Sequence, residues 1–293
     1  MQAWFITPDD RLQAVCDKAP PGTTIYLSPG VYRQKTVIRT PNLTLIGAGA
    51  DKTRIVWDDY ARRRGSDGFE LITFRSYTLC VCADGVRMEG LTVHNDAGSP
   101  AEKGQQVALS VVADGFSMEN CCLRSTQDTL FCGPLPPDLI ERYEFFLPDE
   151  LRRGGRMGQH FRNCRIEGSV DFIFGCGEAV FDGCCLHSVA DGRKTGYLAA
   201  PAHGKDQPRG FEFRDCCLRA DETVAEGSVY LARPWRDFGM CSFVRCQCGS
   251  HIHPAEFSGW SGTQREKTAR FFEQPPVSGR ADWINPTREV HIP

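Results

Sequence analysis

The chain has 293 residues with a formal net charge of -3, from 34 basic and 37 acidic side chains mixed along its length. That length supports one large domain or two modest ones. No basic stripe points to a nucleic-acid partner, and no apolar run approaches the roughly 18 residues of a membrane-spanning helix. Protein partners are left unspecified by composition.

The opening Met1-Gln-Ala-Trp-Phe-Ile-Thr-Pro-Asp-Asp10 carries acids where a secretory signal has a basic region and an apolar stretch. The expectation is a cytoplasmic protein, or a secreted one if a signal has been removed. Thr7-Pro-Asp-Asp-Arg-Leu-Gln-Ala-Val-Cys-Asp-Lys18 follows, with Thr7 as N-cap and Pro8 at the first helical position. This predicts a short amphipathic helix closing the N-terminal end of the fold. Gly22–Tyr32 and Leu43–Gly47 then read as the first strands.

From there a weak repeat runs along the chain. Met88-Glu-Gly-Leu-Thr-Val93, Met118-Glu-Asn-Cys-Cys-Leu123, Phe161-Arg-Asn-Cys-Arg-Ile166, Phe181-Asp-Gly-Cys-Cys-Leu186, Phe213-Arg-Asp-Cys-Cys-Leu218 and Phe243-Val-Arg-Cys-Gln-Cys248 share one pattern. A large apolar residue precedes a polar turn position, then a Cys or Leu, then an apolar residue two positions on. The alternation is that of strands with one face inward. The irregular intervals suit coils that carry loops of different length. The architecture expected is all-β: a right-handed parallel β-helix, a single-stranded solenoid, with the short capping helix at its start. Residues 1–293 form one domain on this reading.

Fifteen cysteines are unusual for such a chain. A disulfide framework is one reading and buried thiols in a reducing compartment the other; the missing signal favours the second. Adjacent pairs such as Cys184-Cys185 point to opposite faces of a strand and chelate one ion poorly. No identified residue requires a metal or a cofactor.

Several blocks, taken together, carry a resemblance. Pro29-Gly-Val-Tyr32 with Leu43-Thr-Leu-Ile-Gly-Ala-Gly49, Gln105-Gln-Val-Ala-Leu109, Thr126-Gln-Asp-Thr-Leu130, Gly168-Ser-Val-Asp-Phe-Ile-Phe-Gly175 and Leu231-Ala-Arg-Pro-Trp235 follow in order. The chain resembles the pectinesterase family over nearly its whole length, and Gly196-Tyr-Leu-Ala-Ala-Pro201 leans toward the bacterial branch. The resemblance implies hydrolysis of methyl esters on galacturonate polymers, pectin or methylated oligogalacturonides, with release of methanol.

It also implies roles. Asp171 is the nucleophile and Asp128 the general acid/base, while Gln105 and Gln127 stabilise the oxyanion. Arg233 orients Asp171 and, with Trp235, contacts substrate; Thr78 and Trp260 are further substrate-contact candidates. The residues support this independently. Asp171 lies among Val170, Phe172, Ile173 and Phe174, and a buried carboxylate needs donors or a cation. Two neighbouring carboxylates also resist ionising together. Gln127 and Asp128 would face opposite ways on a regular strand, so a bend is required there. His251 and His253 are expected at the surface.

Gly-x-Ser-x-Gly is absent, which leaves a serine-hydrolase reading without an anchor. A β-helical lyase or glycosidase, and a non-catalytic carbohydrate-binding β-helix, stand as alternatives. Compared with the family pattern, Ala232 replaces a Gly and Cys176-Gly177 replaces Asn-Ala or Asp-Gly. Residues 133–158 make a longer passage between the two aspartates than is usual and are expected to form an inserted loop at the cleft rim. It is either a solvated excursion or a lid that limits the length of bound chain.

Overall fold

In the computed structural model, which describes residues 2–274, the chain winds through three parallel sheets in succession. Ten strands, from Ala3–Ile6 to Arg270–Gln274, form the first sheet. Eight, from Gly30–Arg33 to Gln247–Cys248, form the second, and seven, from Thr36–Ile38 to Val229–Ala232, the third. Each strand pairs with its counterparts one coil before and after, which makes a parallel β-helix. No helix among the described residues is long and apolar enough to cross a membrane.

The six-fold sequence pattern is the corner between the first and second sheets. Its third position is Gly90, Asn120, Asn163, Gly183, Asp215 and Arg245, and all six adopt left-handed backbone with φ between 50° and 59°. One such residue turns the chain without interrupting the ladder. Its N–H still bonds the next coil: Asn120 to the Arg162 carbonyl at 3.1 Å, Asn163 to Asp182 at 3.0 Å, Asp215 to Val244 at 2.9 Å. Asn, Asp and Gly adopt this conformation most readily, which explains their use here.

In-register pairing then stacks like upon like. Met118, Phe161, Phe181, Phe213 and Phe243 occupy successive rungs of the first sheet. The Phe161, Phe181, Phe213 and Phe243 rings lie face to face at centroid separations of 4.8, 4.7 and 4.4 Å. Just past the corner, Cys121, Cys164, Cys184 and Cys216 form a buried column. The thiols of Cys164, Cys184 and Cys216 donate to carbonyls on the preceding coil. All fifteen cysteines are unpaired and ten are buried, so they pack as small hydrophobes.

Two details at the start differ from the sequence reading. A strand, Ala3–Ile6, precedes the helix, and the helix spans Leu12–Lys18 with Arg11 as N-cap. The Asp10 carboxylate accepts from the Thr7 amide and hydroxyl, so Thr7–Asp10 closes as a turn instead of entering the helix. The Gln34 side chain accepts the Leu12 N–H, replacing a local cap. Leu12 and Cys16 nevertheless bury into the end of the core as expected of a capping helix.

The segment 133–158 carries a short helix, Pro137–Arg142, and a 3-10 turn, Asp149–Arg152. It is packed rather than solvated. Leu135, Leu139, Leu147, Leu151 and Met157 are buried with Phe74, Tyr77, Phe131 and Phe174 against the outer face of the third sheet. Arg153 ties it down, donating to the Cys82 and Val112 carbonyls and to both oxygens of Asp84.

The aromatic column carries much of the coil-to-coil adhesion. Phe181→Ala, which empties the position between two stacked rings, is expected to cost about 3–5 kcal/mol. Phe181→Leu should cost markedly less. Denaturant unfolding measures both, and a Phe181→Ala loss within the range of an ordinary surface substitution would overturn the claim that this column holds the coils together.

Candidate active site

The third sheet's outer face holds a row of side chains in register: Val37, Cys80, Ser110, Phe131, Phe174 and Ala200. At the start of these strands the regular alternation fails twice, at the two aspartates. Asp128 has φ 62° just before the strand Leu130–Cys132, and Asp171 has φ 50° inside Val170–Gly175. The pairing register shifts between Val170 and Ile173, so that Phe172 and Ile173 both enter the core. The left-handed backbone at Asp128 is the bend that the sequence reading required between Gln127 and Asp128. It lets Gln127 and Asp128 face the same cavity although they are neighbours.

That cavity, about 220 Å³, is lined by Gln105, Gln127, Asp128, Asp171, Arg233, Trp235 and Trp260, with Thr73, Phe74, Phe174 and Ala200. Seven of the eight residues singled out from sequence therefore meet in one place. Thr78 is the correction: it is fully buried, and its hydroxyl donates to the His94 carbonyl at 3.0 Å. It braces two coils and touches no ligand space. His251 also departs from expectation, being buried, while His253 stacks on Tyr230 at 4.2 Å.

Arg233 holds Asp171 with a fork of two hydrogen bonds, Nε to Oδ1 at 2.8 Å and NH2 to Oδ2 at 2.6 Å. The guanidinium is itself clamped, with Tyr197 at 3.8 Å and Trp260 at 4.3 Å from its carbon. Such a bidentate, stacked pair fixes the carboxylate's plane and direction. Trp235 packs edge-on to Phe174 at 5.8 Å, and the Arg236 guanidinium covers its ring at 4.9 Å. Arg236 in turn pairs with Asp138 of the 133–158 segment at 2.8 Å.

The two carboxyls are pushed unequally. Burial raises the Asp128 pKa well above the usual value, and the neighbouring Asp171 charge adds to this; Arg233, Gln127 and Arg193 oppose it. Burial raises Asp171 too, but there the bonds and charge of Arg233 work directly against it. Asp128 is thus raised further than Asp171 and holds its proton more tightly, the kind of asymmetry that acid/base work needs.

Arg193 escaped the sequence reading. It lies in the turn Asp191-Gly192-Arg193 between the second and third sheets, and its NH1 donates to Gln127 Oε1 at 2.9 Å. Only the proximity created by coiling reveals it.

The chain is thus of the class of parallel β-helix proteins that set an arginine-held aspartate beside a second buried aspartate. Comparison with known proteins narrows the class. The pectinesterase family model matches residues 3–134 and 154–282, and the chain belongs to the pectinesterase family. A probable pectinesterase/pectinesterase inhibitor of Arabidopsis thaliana is 32% identical over 270 residues, covering 88% of this chain and 42% of its own length. A second Arabidopsis pectinesterase is covered over 65% of its length, so the chain spans about two fifths to two thirds of these relatives. Pectin methylesterase PemA from Erwinia chrysanthemi superposes with a TM-score of 0.77 at 25% identity, covering 93% of this chain and 88% of that one. A pectin methylesterase solved with a bound hexasaccharide superposes at 0.72 with 26% identity, covering 90% of this chain and 83% of that one.

The carboxyl pair predicts a pH-dependent stability. The folded pKa of Asp128 lies above the 3.8 of an ordinary aspartate, so the folded protein keeps a proton that the unfolded chain gives up. Its favourable contribution is complete below about pH 4 and is lost as pH rises through the folded value. Asp128→Asn cannot ionise, and should melt above wild type at neutral pH, the gap narrowing toward pH 4. A gap independent of pH, or a lower melting temperature at pH 7, would overturn this assignment.

Proposed function

We propose that the protein is a carboxylic ester hydrolase that demethylates methyl-esterified galacturonate in pectin or pectic oligosaccharides. One observation carries the reading. Asp171, aimed by the Arg233 fork, shares a cavity with Asp128 and with both glutamine amides. Membership of the pectinesterase family supports it, as does the oligosaccharide bound in a structural relative.

On this reading a carboxylate oxygen of Asp171 attacks the ester carbonyl, and its negative charge moves to the carbonyl oxygen. The amide N–H groups of Gln105 and Gln127 stabilise that oxyanion. Collapse breaks the C–OCH3 bond, Asp128 gives its proton to the departing oxygen, and methanol leaves a mixed anhydride on Asp171. Asp128, now ionised, takes a proton from water, whose oxygen attacks the sugar acyl carbon. Galacturonic acid departs and yields its carboxyl proton to solvent, Asp171 is restored as carboxylate and Asp128 as acid. Arg233 is the fixed cation throughout, and Trp235 and Trp260 wall the site where a sugar ring would rest.

The segment 133–158 supports the lid reading over that of a loose excursion. It packs on Phe74, which lines the cavity, and reaches Arg236 above Trp235 through Asp138. We place it as a wall that restricts the length of bound chain. The unpaired thiols support action in a reducing compartment, where short imported fragments are the substrate. Recovery of the native protein from culture medium instead of cytosol would count against that location.

Methanol release from methylated pectin tests the chemistry. Asp171→Asn should lose essentially all turnover and Asp128→Asn about 10²–10⁴-fold, both folded by circular dichroism. Wild-type turnover in Asp171→Asn removes the nucleophile, and an unsaturated or reducing-end product in place of methanol establishes a lyase or glycosidase. Excising residues 137–152 should raise the ratio of turnover on polymer to turnover on short oligomers. Because both substrates are assayed on one preparation, the ratio is insensitive to the stability lost when Phe74 and Phe131 are uncovered, and an unchanged ratio leaves the segment a packing role alone.

A further inference from the structure

We infer that Arg193 is a positioning residue that fixes which end of the Gln127 amide meets the substrate. A guanidinium only donates, so the Gln127 atom 2.9 Å from Arg193 NH1 is the carbonyl oxygen Oε1. The NH2 end is thereby turned the other way, to the Asp128 side of the cavity that both residues line. The hydrogen bond by which Gln127 favours the charged form of Asp128 requires this orientation. Reversed, the amide would present a carbonyl oxygen to a developing oxyanion and repel it.

Arg193 can do this because it is held on its other side. Its Nε donates to Asp191 Oδ2 at 2.9 Å, its NH2 donates to the same oxygen, and its backbone N–H reaches Asp191 Oδ1 at 3.0 Å. The Ser169 hydroxyl also donates to Asp191, whose side chain is almost fully enclosed. Ser169 sits in the equivalent turn one coil earlier, and its backbone N–H bonds the Thr126 carbonyl at 2.7 Å. The chain Asp191–Arg193–Gln127 thus spans three coils and ends at the site. Arg193 touches no reacting atom, and its effect passes through Gln127.

The kinetic consequence rests on the esterase reading, so the test has one arm that does not. In protein labelled with 15N, the Gln127 side-chain amide protons should exchange slowly with solvent, and Arg193→Gln should speed their exchange at least about tenfold. Unchanged exchange overturns the inference whether or not the protein is an esterase. In methanol release, Arg193→Gln should lower kcat about 10- to 100-fold with KM within about twofold. In a Gln127→Ala background the same substitution should cost less than about twofold, since the group it orients is gone. Multiplicative losses would show that Arg193 acts elsewhere and sink the idea. Arg193→Lys, which keeps the Asp191 pair but lacks the planar fork, controls for folding and should show intermediate kcat with wild-type melting. Wild type that releases no methanol ends the esterase reading while the amide exchange still decides the role of Arg193.

Discussion

In-register stacking of parallel strands is the constraint from which the molecule follows. Each coil must place its corner above the corner below, or the ladder of backbone hydrogen bonds through that corner is lost. The six left-handed residues between the first and second sheets meet this demand with a single amino acid each. Once the corners coincide, side chains of one column are obliged to resemble one another. A ring accepts a ring above it, and a thiol donates to a carbonyl of the coil before. Residues 128, 171 and 233, scattered in sequence, are then delivered to neighbouring rungs around one cavity, and Arg193 to a place behind Gln127.

The site is built by breaking the rule that builds the fold. Left-handed backbone at Asp128 and Asp171 occurs where no corner is needed, and it costs both local strain and a shift in register. Its result is two carboxyls facing outward over a core into which Phe172 and Ile173 both turn. Burial and mutual repulsion would push both toward the neutral acid. Arg233 resolves the conflict in favour of Asp171, and the stacked Tyr197 and Trp260 keep the cation in place. Removing such a partner from a buried carboxylate typically costs about 3–5 kcal/mol, so catalytic asymmetry and local stability depend on the same fork.

What could be read from the sequence divides along the same physical line. The repeat at 88, 118, 161, 181, 213 and 243 was legible because stacking imposes periodic chemistry on the chain, and it announced the β-helix directly. Asp128, Asp171 and Arg233 were legible through the family blocks that contain them, and through the oddity of a carboxylate set among Val170, Phe172, Ile173 and Phe174. Thr78 misled because a small polar residue reads the same in a cleft and between coils; only its bond to the His94 carbonyl distinguishes them. The helix start misled because Asp10 competes for the Thr7 amide, a local choice between turn and cap that composition does not decide. Arg193 was silent since its partner, Gln127, is 66 residues away in sequence.

The 133–158 segment shows how a solenoid acquires specificity without disturbing its coils. A loop that leaves after Cys132 and returns at Gly158 adds no rung, so the ladder on either side closes around it. The outer face of the third sheet, however, is apolar at Val37, Cys80, Phe131 and Phe174, with Ser110 the one polar residue between them, and apolar surface of that extent favours a cover. Leu139, Leu147 and Leu151 provide one, and in doing so carry Asp138 to Arg236 and Tyr143 to within 6.3 Å of Phe74. Hydrophobic burial, a non-directional force, thereby sets the position of polar and aromatic groups at the mouth of a site where direction matters. The same rung that supplies Phe131 to the cover follows Asp128 by three residues, so the packing of the wall and the placement of one carboxyl are mechanically one element.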